Sequence, residues 1–248
     1  MTKQPAHGHA QKTLLWLLFG LLGLWLALAL AWWASARLDY GYPLWYQWLA
    51  IDQHIARYAP ANPGKRGLET LSAAQHQQLF ADIVAAVHND GRGLAEIDYQ
   101  AAGWPTQKLL INTEIGHLQD VAALLALAER VSWGAALLWL LLLPKASRTP
   151  LPGWRTRFLA VALLLGSVAA LLLLAGPKTV FYQLHEWLFP PDHPWFFYWE
   201  ESLMSTLMKA PILFGAIAGQ IALLAALLIW PLQHGARYLV GRCLGRQA

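Results

Sequence analysis

Three long runs without a formal charge, and a fourth apolar stretch broken by one charged pair, constrain this chain more than any motif does. Between Lys12 and Arg37 lie 24 uncharged residues, between Arg157 and Lys178 lie 20, and between Lys209 and Arg237 lie 27. A helix rising about 1.5 Å per residue needs about 20 apolar residues to cross a hydrocarbon core of about 30 Å. Each run is long enough. The fourth stretch, 121–143, carries Glu129 and Arg130, and its clean part Val131–Leu143 is too short to cross alone. It reads as a span whose outer third is partly wet or protein-facing. Composition agrees: 57% of the residues are hydrophobic and 13% charged, where soluble domains carry about 25% charge. Disorder, a fibrous repeat and an ordinary soluble enzyme are excluded. The single cysteine, Cys243, excludes a disulfide framework and a Cys-rich zinc or iron–sulfur site. The first run is too long for a signal peptide, and only Ala34-Ser35-Ala36 resembles a cleavage site, so a retained anchor is expected.

Charge sets the orientation. With the N-terminus inside, the inner segments hold Lys3, Lys12, Lys145, Arg148, Arg155, Arg157, Arg237, Arg242 and Arg246, nine basic residues and no acid. The positive-inside rule then puts both termini in the cytoplasm, and the net charge of +4 reads as topology rather than as affinity for nucleic acid. Thirteen of the 14 acids lie in or beside the two outer segments. The expected plan is an α-helical integral membrane protein with four transmembrane helices and a small mixed α/β extracytoplasmic cap. Its parts are a tail and first span (1–36), the cap (37–120), a second span (121–143), an inner loop (144–157), a third span (158–176), an outer aromatic loop (177–210), a fourth span (211–230) and an inner tail (231–248). Trp32, Trp33, Trp133, Trp139 and Trp230 suit interface anchors. Gly215 and Gly219 form a GxxxG pair assigned to helix packing.

Within the cap, Ser72 and Gln75 have capping-box spacing, and Leu79, Phe80, Ile83, Val84 and Val87 follow at helical period. Asn89-Asp90-Gly91 ends that helix. Leu94–Tyr99 and Lys108–Ile111 suit short strands.

Six histidines fall on the outer side: His54, His76, His88, His117, His185 and His193. Topology brings His117, at the start of the second span, and His185, after the third, to one membrane level. Thr113 or Asn112 suits an N-cap, and Glu114, His117 and Asp120 then form a stripe on one helix face. A carboxylate beside an imidazole favours its charged form, whereas the positive helix end favours the neutral one. Opposed influences of that kind suit a group that takes and gives a proton. Around His185 stand Tyr182, Trp187 and Phe189, and the same aromatics read equally as an interface belt or as a dry pocket wall. The plain alternatives are a helix-end hydrogen bond for His117, an interface residue for His185, and a packing ion pair for Glu129 and Arg130. Ionisable groups at membrane depth are nonetheless functional suspects. The sequence has no Gly-x-Ser-x-Gly elbow, P-loop, HExxH, CxxC or GxGxxG, so a reacting nucleophile would come from the substrate.

Glu114-x-x-His117-x-x-Asp120-Val121, together with His185 followed by Trp187-Leu188 and Pro190, resembles the bacterial lipoprotein intramolecular transacylases. The four-span plan with an outer cap resembles them as well. The chain departs from the family pattern in Pro191-Asp192-His193-Pro194, in the aromatic run Trp195–Trp199 and in Lys209-Ala210-Pro211. The resemblance implies a multi-pass enzyme of the bacterial plasma membrane with its site on the extracytoplasmic side. It implies transfer of the sn-2 acyl chain of a diacylglyceryl lipoprotein onto its N-terminal cysteine amine. His117 and His185 would be catalytic. Glu114 and Asp120 would orient them, and Tyr182, Trp187, Phe189 and Arg130 would contact substrate. The lipoprotein N-terminus and membrane lipid are the expected partners, with no metal or other cofactor. The residues leave other classes open: a different membrane lipid acyltransferase or lipase, a bis-histidine haem-binding protein, or a scaffold.

Overall fold

The computed structural model describes residues 6–198, 200–243 and 245, side chains excepted at 6–9 and 177. Lys3, Trp199 and Arg246, and the side chains of His7 and His9, lie outside the described residues. The protein is 73% helical, with one two-stranded sheet. Four helices are long and apolar enough to cross a membrane: α1 (Ala6–Ala36), α5 (Asn112–Arg148), α6 (Trp154–Ala175) and α8 (Ile212–Trp230), which runs on through a π turn into α9 (Ala236–Cys243).

Helix boundaries differ from the hydropathy reading where backbone hydrogen bonding tolerates residues that hydropathy counts against a span. Helix α5 begins at Asn112 rather than at 121 and continues through Pro144 to Arg148. Its 37 residues would measure about 55 Å at 1.5 Å each, far more than a bilayer core needs. Its surplus first turns carry the polar stripe. The region expected as an outer loop begins with α7 (Pro177–Leu188), so Tyr182, His185 and Trp187 sit on a helix. Gly176, at φ +80, separates α6 from α7 in a conformation that a β-carbon would oppose. The last helix does not end at Pro231 but runs on into the segment expected as a tail, because the π turn Pro231–Gly235 absorbs the proline.

The chain forms two compact units. One comprises the described parts of 1–29, 131–188 and 224–248, the other 30–130 and 189–223. In the first unit, Phe19 stacks on Trp139 at 5.0 Å, 15° from parallel, beside buried Leu143 and Ala146. Trp139 is thus a core residue and not an interface anchor, whereas Trp133 and Trp230 are exposed. The Trp25 indole donates to Ser132 Oγ (3.0 Å) and Gln233 Nε2 donates to the Gly20 carbonyl (3.2 Å). Apolar α6 buries none of its residues.

The second unit is built on α2 (Tyr42–Trp48), α3 (Ile51–Tyr58) and α4 (Ala73–Val87). The capping box forms: Ser72 Oγ accepts the Gln75 N–H, and Gln75 Oε1 accepts the Ser72 N–H. The apolar period buries Leu79, Phe80, Ile83, Val84 and Val87, each worth about 1.5–3 kcal/mol when fully removed from water. Phe80 stacks on Tyr42 at 4.0 Å. At the end of α4 the Gly91 N–H donates back to Ala86, with Gly91 at φ +75. The strands are shorter than expected: β1 is Asp98–Tyr99 and β2 is Gln107–Lys108, antiparallel, with Asp98 opposite Lys108. Leu94–Glu96 instead makes a 3₁₀ turn. On α8, Gln220 accepts the Trp45 indole N–H (3.0 Å) and donates to Ser35 Oγ (3.2 Å). A β-carbon at Gly215 or Gly219 would meet nothing within 4 Å. Among the described residues, no helix therefore packs closely on that GxxxG pair.

Candidate functional site

Helix α5 starts without a Ser, Thr, Asp or Asn cap. The Ile111 carbonyl accepts the first helical bond, from Ile115 (2.9 Å), and the Ile111 N–H is taken by Glu114 Oε2 (3.1 Å). Asn112 and Thr113, the expected caps, are exposed residues already inside the helix. Glu114 is 1% exposed and satisfies three segments at once. Oε2 also accepts Lys65 Nζ at 3.2 Å, and Oε1 accepts the Leu203 N–H at 2.6 Å. Lys65, fully buried, donates as well to the Leu109 carbonyl. Burial pushes the Lys65 ammonium below the usual lysine pKa, and the Glu114 charge opposes that push. Glu114 therefore fastens the surroundings of His117.

One turn on, His117 is buried between aromatic rings, with Phe189 at 4.7 Å and Phe197 at 5.7 Å between centroids. The next member of the stripe, Asp120, accepts His193 Nδ1–H at 2.7 Å. The bond from Asp120 holds His193 above the usual histidine pKa, desolvation opposes it, and the Asp120 and Asp192 charges add to the rise. In the neutral ring this bond leaves Nε2 as the basic nitrogen. Glu114, His117 and Asp120 do share one face, and the segment 189–208 folds over it.

That segment is held down by side chains from the first half of the unit. Tyr42 OH donates to the Leu207 carbonyl (2.7 Å), and His54 Nε2 donates to the Ser205 carbonyl. Lys209 Nζ reaches back to the Leu49 carbonyl. His76 is a satisfied core residue, donating from Nε2 to Leu68 O (2.7 Å) and accepting the Tyr46 hydroxyl at Nδ1 (2.8 Å). Burial keeps His54, His76 and His88 below the usual histidine pKa.

His185 belongs to the other unit. Its Nδ1 donates to the Phe181 carbonyl one turn back (2.8 Å), and its ring lies 3.9 Å from the Phe181 ring. As with His193, this defines Nε2 as the basic nitrogen of the neutral form. Tyr182, three residues away on the same helix face, lies under the Lys178 ammonium at 5.5 Å. Trp187 is 74% exposed. Phe189 joins His117, as described. Arg130 does not join the stripe: it is exposed and lies about 15 Å along the helix axis from Asp120 at 1.5 Å per residue.

Two residues of the cluster carry little signal in the sequence. Lys65 follows Asn62-Pro63-Gly64, a turn in which lysine is ordinarily solvated. His193 has a signal in its neighbour Asp192, but its partner Asp120 lies 73 positions away. Among the described residues, no group of three or more His, Cys, Asp or Glu side chains is placed to hold a metal ion. The stripe offers a buried imidazole in an aromatic, water-poor setting and a neighbouring carboxylate–imidazole pair, a combination suited to proton transfer. Compared with known families, characterised proteins and solved structures, the chain matches no family model, no curated protein and no solved structure.

Proposed function

We propose that this chain is a membrane acyltransferase that moves the sn-2 acyl chain of a diacylglyceryl lipoprotein onto the α-amine of its N-terminal cysteine. The observation that carries the reading is the buried His117, walled by Phe189 and Phe197 on the surplus turns of an otherwise apolar helix. In this reading the helix ends that bear the site face the extracytoplasmic side of a bacterial plasma membrane, both termini are cytoplasmic, and residues 37–120 form the cap.

The chemistry needs three proton transfers, two off the amine nitrogen and one onto the glycerol oxygen. An α-amine, with an ordinary pKa of about 7.7–8.0, is mostly protonated at neutral pH. One histidine takes a proton from the ammonium, and the amine nitrogen attacks the ester carbonyl. That histidine passes the first proton to solvent and takes the second from nitrogen as the C–N bond forms, the bond from the carbonyl carbon to the sn-2 oxygen breaks, and a second imidazolium protonates the departing glycerol oxygen. Donor and acceptor belong to one molecule, so the protein supplies no nucleophile. Its main task is to bring amine and ester together in a dry setting. His117 and His185 are the two histidines assigned to the transfers, and the Nδ1–H bond of His185 to Phe181 supports an Nε2 base there.

The test is mass spectrometry of the N-terminal lipopeptide of a lipoprotein co-expressed with this protein. Wild type is expected to yield the amide-linked lyso form. His117→Ala and His185→Ala should each lower its rate by roughly 10²–10⁴-fold, the usual loss for an acid or base. Full conversion by either variant at matched expression would remove that histidine from the mechanism. No lyso form with wild type would remove the function.

A further inference from the structure

A partly open cavity of about 140 Å³ lies within the unit formed by 30–130 and 189–223. Its walls come from α1 (Trp32), α4 (Ile83), α5 (Leu118) and α8 (Ile217). Three of these are helices long enough to cross a membrane. Two of the chain's three methionines, Met204 and Met208, complete the lining, and unbranched thioethers adapt to a flexible ligand. Tyr40, His88 and the indole N–H of Trp32 are the polar exceptions. The Tyr40 hydroxyl and His88 Nε2 are 2.7 Å apart and bond to each other. A headgroup drawn inside would lose its water and find one unpaired donor, the Trp32 indole N–H, in exchange, whereas a hydrocarbon chain loses nothing. The size suits the end of one chain: a dry apolar cavity of about 150 Å³ holds a benzene-sized ligand. The position is specific too. Leu118 follows His117 on α5, and Met204 follows Leu203, whose N–H is held by Glu114.

We propose that this cavity binds the terminal part of a single lipid acyl chain. The walls argue for the site by themselves; that the bound chain is the one transferred rests on the acyltransferase reading.

The test uses the full-length protein in phosphatidylglycerol nanodiscs doped with a phosphatidylcholine whose sn-2 chain ends in a diazirine. After irradiation, adducts are mapped by peptide mass spectrometry. Ile83 and Met208 are each 3% exposed and should carry adducts, because a chain reaches them only by entering the cavity. Leu173 and Leu174, 84% and 88% exposed on α6, report general lipid contact. Ile83→Trp and Ile217→Trp fill the space from two different helices, α4 and α8. Each should cut the Met208 adduct at least tenfold and leave the α6 adducts unchanged. Absent Ile83 and Met208 adducts beside strong α6 labelling overturn the proposal, and so does a Met208 adduct unaffected by either filling variant. If a filled variant melts at ordinary temperature, the wild-type map alone decides. The lipopeptide assay runs in parallel on the same protein variants, each co-expressed with a lipoprotein. Cavity labelling without acyl transfer overturns the acyltransferase reading and leaves the site standing. Transfer with an unlabelled cavity does the reverse.

Discussion

Glu114 and Lys65 carry opposite charges at 3.2 Å with almost no exposure. Such a pair is costly to break, because the survivor keeps its charge in a place water does not reach. Glu114→Ala, which also orphans the Ile111 and Leu203 N–H groups, should destabilise the protein by about 3–5 kcal/mol. Lys65→Met combined with Glu114→Leu should cost less than the sum of the single changes, because the two share one interaction. Thermal unfolding of the purified protein in one detergent ranks these variants. His193 offers a second test at this scale. Its pKa is raised by Asp120, so the stabilisation from the charged pair is complete below the ordinary histidine value of about 6.5 and fades as pH rises through the higher folded value. A histidine NMR titration should place His193 above the ordinary value in wild type, and Asp120→Asn should bring it down. An unchanged midpoint would show that Asp120 does not hold the proton on His193.

At the scale of elements, α4 is legible in the amino-acid sequence because its signals are local. The capping box spans four residues and the apolar face repeats at the helical period. Ser72→Ala should cost about 1 kcal/mol, the usual worth of an N-cap, with Ser72→Gly recovering most of it; chemical denaturation measures both. The start of α5 is legible to within two residues from its polar stripe, which puts the N-cap at Asn112 or Thr113, and hydropathy alone misses it. Hydropathy places a span where apolar residues begin, whereas the helix begins where Ile111 finds its partners, and Glu114 supplies one of them. The strands are short for a related reason. Among the described residues only Asp98–Tyr99 and Gln107–Lys108 pair, and Leu94–Glu96 turns instead, so β-propensity has too few cross-strand neighbours to act on.

At the scale of the molecule, the proposed topology sets residues 37–120 and the inner loop near 150 on opposite sides of the membrane. Fusions at residue 75 should therefore report outside, and fusions at residue 150 inside, in paired alkaline phosphatase and fluorescent-protein reporters. The reverse pattern would invert the site as well. Cys243, exposed on α9, is then on the inner side. A membrane-impermeant maleimide should label it only after permeabilisation. Labelling in intact cells would speak against the orientation independently of the fusions.

The sequence by itself determined the four long apolar helices, the amphipathic α4 and the alignment of Glu114, His117 and Asp120. Each follows from rise, period or composition within a few turns of chain. Only the tertiary structure decided what those three side chains meet. Lys65, Leu203 and His193 come to them across 49, 89 and 73 positions, and loops that carry no period announce no partner. The same holds for Trp139, which tryptophan statistics put at an interface and packing against Phe19 puts in a core. Local physics sets which element a segment forms, and long-range burial sets which charges must find each other.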